Sequence, residues 1–535
     1  MLNQKTIIAK ELIGSNRLNE AESILLGLDD KFSLFELAKL RRIQGRNKEA
    51  EQLYLKSLSV QPEIKYPIES DINIELGRIY AGFGNAKEAQ KRYTKGLDRI
   101  CLEKNIYGEL GELYLSLRKY KEAEENLEKS IKLFPNDIKT NLNLAVVYRK
   151  LLKDEKTKQI LNKLLLNKEV KNNKFLYNKV LNEYEIIMKR EVLESKPREM
   201  RVTLTNNCNI GCRYCDLWKD SSWTLPEERL KEIINSFPYI ENMYWLGGET
   251  FLYKGFEEVL EEGSKYDALN QTILTNGLLL NEKILEKIAK SNVSLIIAVD
   301  AGKKETYEYL RRGASWDKLC KNLELIKEMN RKTNKKIYTT FNAVISKSNY
   351  KEVFEMVDMA YKYDFNRIRF MSMLGNGDEN IWLNKDMKAI EYLREAMPLV
   401  EARAKEYNIY AETEKFSLGV YKDINLKFIK DNKVTDLIAR KTTKIEGHCS
   451  FPWISVVIDS KGPMRLCVNC NDWLGDSNKQ TINEFWNCEG MQIYRNRLAH
   501  SYTCYAGTDV QEGPNDTAYP CCQDLHNPNI CHMGW

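Results

Sequence analysis

Along the first 165 residues apolar positions recur at helical spacing, and then the whole pattern repeats. Leu76-Gly77-Arg78-Ile79-Tyr80 returns as Leu110-Gly111-Glu112-Leu113-Tyr114 and again as Leu144-Ala145-Val146-Val147-Tyr148, two steps of 34 residues. Lys87-Glu88-Ala89 keeps the same step in Lys121-Glu122-Ala123, with Thr157 in the alanine's place one repeat later. Asn19-Glu20-Ala21 and Lys48-Glu49-Ala50 are earlier copies at less regular spacing. Such a period predicts paired helices with a small residue where the two cross, and Leu and Tyr filling the space between repeats. Pro62 and Pro135-Asn136-Asp137 fall where one pair should stop and the next begin. A charged helical stretch without repeat markers follows from about Asn167 to Glu194, and Lys196-Pro197 is expected to end it.

The repeated segment resembles tetratricopeptide repeats, a helical solenoid whose concave groove implies a peptide or protein partner. Beyond Pro197 the period changes. Short β-branched runs at 201–205, 243–246, 271–275, 294–299, 336–344 and 367–371 alternate with amphipathic helical stretches. Six strands separated by helices predict a parallel sheet, a partial (β/α)6 TIM-like barrel with its chemistry at the carboxyl ends of the strands. The expected organisation is an all-α helical-repeat solenoid at 1–165, a helical linker at 166–198, the barrel at 199–415, a connector at 416–445 and a small Cys-rich α+β domain at 446–535.

Composition narrows the function. Hydrophobic residues make up 43% and charged residues 30% of the 535, an ordinary globular mixture. Lys and Arg number 82 against 76 Asp and Glu, and the charges are interspersed, so neither a nucleic acid nor an anionic membrane is an expected partner. Residues 1–15 lack the apolar run of a signal peptide, and no segment reaches a membrane span, so a cytoplasmic location is expected. Of 13 cysteines only Cys101 precedes residue 200, and all four histidines, His448, His500, His526 and His532, lie near the C-terminus. In a reducing compartment that clustering predicts metal or redox chemistry; Cys101, Cys320 and Cys488, in helical apolar surroundings, are expected to be ordinary buried side chains.

Directly after the first strand comes Cys208-Asn209-Ile210-Gly211-Cys212-Arg213-Tyr214-Cys215, a CX3CX2C loop. Three soft thiolates suit a cuboidal iron–sulfur cluster whose fourth iron has no protein ligand. A zinc knuckle would need a fourth ligand close by, and no histidine lies within two hundred residues of the loop.

This loop, with an aromatic residue before the third cysteine, resembles the signature of the radical S-adenosylmethionine (radical SAM) enzymes. The resemblance implies a [4Fe-4S] cluster on Cys208, Cys212 and Cys215 whose open iron chelates S-adenosylmethionine. Reductive cleavage then yields a 5′-deoxyadenosyl radical that abstracts hydrogen from an unactivated C–H bond, with an electron donor such as flavodoxin or ferredoxin. Gly247-Gly248-Glu249 after the second strand matches the family's GGE element, which receives the methionyl ammonium. Thr275-Asn276-Gly277 closes the third strand as in many relatives. Asp300 fits the end of the fourth, although Ala298 stands where relatives often carry a serine. Arg311-Arg312-Gly313 follows, and Arg312 is the candidate for the methionyl carboxylate.

The tail departs further. Cys449, Cys467 and Cys470, in CX12GX4C order around a turn at Asp459–Gly462, resemble the opening of the auxiliary-cluster domain called SPASM, or its shorter form, twitch. At least one auxiliary [4Fe-4S] cluster is implied, on Cys449, Cys467, Cys470 and Cys504, with Cys521 or Cys522 as competitors. A full SPASM domain continues CX2CX5CX3C, which this tail lacks; a structural zinc is the alternative. The resemblance spans 199–535 and implies maturation of a peptide or protein by crosslinking, epimerisation or oxidation. The alternatives are a modifier of a small molecule or carbohydrate docked by its repeats, and a catalytically inactive repeat scaffold. No catalytic acid, base or hydrogen donor is identified.

Overall fold

The computed structural model describes residues 3–60, 68–82, 86–97, 105–220, 222–333, 337–373, 377–382, 384–413, 450–467 and 473–500. It divides into two compact units, Met1–Ile160 with Lys327–Lys336, and Leu161–Ile326 with Ile337–Trp535.

The first unit is built of paired helices: α1 (Gln4–Gly14) with α2 (Leu18–Leu25), α3 (Lys31–Ile43) with α4 (Asn47–Ser59), α5 (Ile68–Gly82) with α6 (Ala86–Leu97), and α7 (Ile106–Ser116) with α8 (Tyr120–Leu133). α9 (Ile138–Lys150) and α10 (Asp154–Leu166) follow. The repeat markers sit where the period requires. Ala21, Ala50, Ala89 and Ala123 are all fully buried, and a Cβ on Gly77 would lie 2.9 Å from the Tyr93 ring. The Tyr80 hydroxyl donates to Glu51 at 2.6 Å and the Tyr148 hydroxyl to Glu128 at 2.7 Å, each reaching the second helix of the preceding repeat. The turns share one device. Asn16, Gly45, Arg118 and Leu152 all have φ between 57° and 70°, and the next N–H closes back on the helix, as in Arg46 to Arg41 and Lys153 to Tyr148, both at 2.8 Å. This left-handed closure ends the first helix and launches the second.

The second unit begins differently from the sequence expectation. The helix ahead of the sheet, α11 (Lys174–Ile187), stops well before Lys196-Pro197. The same closure ends it, with Lys189 at φ 55° and the Arg190 N–H on the Glu185 carbonyl at 3.0 Å. Residues 190–198 then lead to β1 without regular structure, their backbone captured by side chains. Glu185 accepts from the Glu194 N–H at 2.6 Å, and Trp486 donates to the Ser195 carbonyl at 2.7 Å.

The main sheet contains all six expected strands: β1 (Glu199–Thr203), β2 (Asn242–Leu246), β3 (Asn270–Thr275), β4 (Val293–Ala298), β5 (Tyr338–Ile345) and β6 (Arg367–Ser372). It also holds β7 (Tyr410–Glu412) and, from the C-terminal segment, β8 (Ser455–Ile458), β9 (Pro463–Arg465) and β10 (Gly475–Asp476). The order is β10-β9-β8-β1-β2-β3-β4-β5-β6-β7. β8 through β7 run parallel, with Glu199 opposite Ser455 and Asn242, and β8–β9–β10 close antiparallel. The alternation is legible in β2: Met243 and Trp245 are fully buried, and Trp245 meets Phe237 and Phe256 edge-on, ring centroids 6.4 and 5.7 Å away. A helix follows each of β1, β2 and β3 in the chain, Glu227–Asn235, Phe256–Gly263 and Glu282–Lys290, and a loop at the strand's carboxyl end precedes each.

Candidate active site

Past β1 and β2 the two chains continue side by side as loops. Leu204 donates its N–H to Leu246, Gly248 to Thr205 and Glu249 to Asn207, at 2.8, 2.7 and 2.8 Å. This approach requires glycine. Gly247 has φ 152°, and a Cβ there would lie 2.6 Å from the Thr205 carbonyl oxygen; on Gly248 it would strike the carbonyls of Asn206 and Asn207. The Gly-Gly pair therefore lies flush against the backbone that enters Cys208.

Glu249 is fully buried. Its carboxylate is turned toward β3, accepting from the Thr275 hydroxyl at 2.7 Å and the Asn276 N–H at 2.8 Å. Burial pushes this carboxyl up from its ordinary range. The Asn276 amide donates to Asn209 at 2.8 Å and approaches the Cys208 sulfur at 3.9 Å. The side chain that the sequence assigns to an ammonium contact thus ties β2 and β3 to the cysteine loop.

Cys208, Cys212 and Cys215 are half-buried free thiols. Burial raises the Cys208 thiol and pushes Cys212 up to about 11. Gly211–Cys212 pair antiparallel with Arg311–Arg312 in a two-residue ribbon. Arg311 is buried and Asp300 fully so. Asp300 sits at φ 64°, held by the Val344 N–H at 2.7 Å, the Arg311 guanidinium at 2.5 Å and the Tyr214 hydroxyl. Arg311 also reaches the Cys212 sulfur at 3.8 Å. Arg312, on the opposite side of the ribbon, is exposed and lies over the Trp218 ring, 5.0 Å from its centroid. The sequence did not mark Arg311 as the inward member of the pair; only the register of the ribbon decides it.

In the tail, Cys467 is buried after β9, whereas Cys449, Cys470, Cys504, Cys521 and Cys522 lie outside the described residues. So does Cys101; Cys320, in a helix, and Cys488, in the bend between two helices, are half-buried rather than buried as expected. Among the described residues no three His, Cys, Asp or Glu side chains gather around a single-ion position, and no helix is long and apolar enough to cross a membrane.

Residues 202–360 match the Radical SAM superfamily, and residues 105–137 match the tetratricopeptide repeat. Residues 202–360 are thus similar to the radical SAM enzymes. The family implies a [4Fe-4S] cluster and S-adenosylmethionine, and this site fits them: three thiols on one loop, a side-chain-free Gly-Gly cradle beside it, and two buried polar atoms without hydrogen-bond partners, Asn206 Oδ1 and Arg311 Nε. The radical SAM cyclopropyl synthase TigE of Paramaledivibacter caminithermalis is 25% identical over 305 residues, covering 52% of this chain and 60% of that protein. The GTP 3′,8-cyclase of Clostridium botulinum is 22% identical over 319 residues, covering 56% of this chain and 91% of that one. Streptococcus suis SuiB bound to its precursor peptide SuiA superposes with a TM-score of 0.43 at 17% identity over 66% of this chain and 81% of that one, a likeness too loose to bear on function.

Proposed function

We propose that this protein is a radical SAM enzyme that abstracts hydrogen from a peptide or protein substrate engaged by its helical repeats. The observation that carries the chemistry is the backbone pairing of residues 204–207 with 246–249, which sets the three cysteines against the glycine cradle. Cys208, Cys212 and Cys215 are the residues that would hold the [4Fe-4S] cluster. When bound, the cluster and S-adenosylmethionine supply a 5′-deoxyadenosyl radical by one-electron cleavage of a carbon–sulfur bond.

The chain's own residues orient and enclose. Gly247 and Gly248 offer backbone to the methionyl group, while Glu249 and Asp300, both buried, hold the loops that face it. Arg312 keeps an exposed guanidinium beside the loop, suited to a carboxylate. Cys467, with Cys449, Cys470 and Cys504, would hold an auxiliary [4Fe-4S] cluster of the SPASM or twitch kind, in a small Cys-rich domain that follows the partial barrel in the sequence. An electron donor such as flavodoxin or ferredoxin supplies the electron in the cytoplasm.

The peptide reading rests on the repeats, which a small-molecule enzyme has no need of and which raise the local concentration of a bound polypeptide. The match to a GTP 3′,8-cyclase along most of that protein's length favours a second reading, a small-molecule substrate with the repeats as a dock. Deuterated cells separate the two. The reduced, reconstituted enzyme is offered their polypeptide fraction and, separately, their small-molecule fraction. Deuterium in 5′-deoxyadenosine from the polypeptides alone supports the first reading; deuterium from the small molecules alone overturns it.

A further inference from the structure

The buried cation nearest the cysteine loop has two jobs in its geometry. Arg311 sets one terminal nitrogen on Asp300 at 2.5 Å and the other on the Cys212 sulfur at 3.8 Å. Its backbone is paired with that same cysteine in the ribbon. The ribbon is itself braced on both sides: Arg213 donates its N–H to the Leu310 carbonyl at 3.0 Å, and Trp218 donates to the Cys212 carbonyl at 3.2 Å. The guanidinium is therefore fixed relative to one cysteine sulfur to within the register of a hydrogen-bonded pair. Asp300 is in turn locked in a left-handed backbone conformation by Val344 and Asn349, the latter donating to its carbonyl at 2.6 Å. This backbone conformation, which aspartate tolerates better than most residues, sets the Asp300 carboxyl group against the arginine.

We infer that Arg311 is a positioning residue that sets the reduction potential of the cluster held by Cys212, with Asp300 as its counterweight. This rests on the reading of Cys208, Cys212 and Cys215 as cluster ligands. Reduction adds one electron to a site already carrying three thiolates. A fixed cation donating to one ligand sulfur favours the more negative, reduced state and raises the potential, and a carboxylate on the far side of that cation offsets part of the effect. Burial excludes the water that would otherwise screen both. The electron comes from an external one-electron donor and stays on the cluster; no bond forms or breaks in this step.

The test is an EPR-monitored redox titration of the full reconstituted chain. The barrel signal is defined as the one absent from the Cys208→Ala, Cys212→Ala, Cys215→Ala triple variant. Arg311→Met should lower the midpoint so that the reduced-to-oxidised ratio at fixed potential falls at least tenfold, about 59 mV for one electron. Arg311→Lys should restore part of that shift. Asp300→Asn, which releases the cation from its counterion, should move the midpoint the opposite way. A merely structural role would lower iron content or broaden the signal in all three variants without opposed shifts, and that result overturns the inference. So would unchanged midpoints with S-adenosylmethionine affinity lost in Arg311→Met, since the guanidinium would then serve the cofactor carboxylate. If the triple variant keeps the signal, it is the ligand reading that fails, not the tuning alone.

Discussion

The backbone N–H of Asn276 donates to the carboxylate of Glu249 at 2.8 Å, so the end of β3 hangs on a buried side chain from the end of β2. The Thr275 hydroxyl shares that carboxylate, and the Asn276 side chain passes the constraint on to Asn209. Glu249→Ala would leave two buried donors without acceptors, at about 1–3 kcal/mol each. A lower thermal midpoint and at least tenfold weaker binding of S-adenosylmethionine are expected, read by calorimetry on the reconstituted protein. Because burial raises this carboxyl, its ionisation opposes folding: the stability it contributes at low pH declines as pH rises through the raised value. Glu249→Gln should remove that decline, as denaturant titrations at a series of pH values would show.

Gly248→Ala places a methyl group against the carbonyls of Asn206 and Asn207. These are rigid backbone atoms on the approach to Cys208, so the cysteine loop must shift. Cleavage of S-adenosylmethionine should fall at least tenfold while far-UV circular dichroism stays unchanged.

Arg198 joins Glu183 and Glu241, both at 2.7 Å, just ahead of β1. Burial alone would raise the Glu241 carboxyl, but Arg198 and Lys179 outweigh it and hold it down at about 2. The stability gained from this depressed value is therefore present above the ordinary 4.5 and lost as pH falls toward 2. Glu241→Gln should flatten that acid limb by on the order of 2–3 kcal/mol, measured by urea unfolding at pH 7, 4 and 3.

Leu152 is left-handed at φ 57° and 59% exposed. Gly45 holds the equivalent place in an earlier turn without the steric cost. Leu152→Gly should stabilise the repeats by about 1 kcal/mol, raising the denaturant midpoint and leaving S-adenosylmethionine cleavage unaltered.

Elements with a repeating or alternating pattern were legible in the sequence. The buried alanines of the repeats announce themselves by period, and the six strands by β-branched runs bounded by turns. What escaped lacks a pattern to read. β7 spans three residues and is defined by its partner β6. β8 reads locally as a strand, yet nothing local says that it pairs with β1, more than two hundred residues away. The end of α11 at Ile187 depends on a left-handed lysine, a residue type that rarely adopts this conformation, whereas Pro197 is the stronger local stop signal. At the site, the cysteine spacing and Gly-Gly-Glu were visible because each demands particular residue types. Arg312 is the candidate in the sequence, but neighbours in a ribbon point to opposite sides. Only the pairing with Gly211–Cys212 shows that Arg311 is the one at the cysteine.

The central claim is that Cys208, Cys212 and Cys215 carry the cluster that cleaves S-adenosylmethionine. The direct measurement is 5′-deoxyadenosine production by the anaerobically reconstituted, reduced full chain, alongside the variant with all three changed to Ala. The account predicts steady production by the parent chain and none by the variant, with iron remaining in the variant only to the extent that the tail holds its own cluster. Production by the variant at the parent's rate would contradict it.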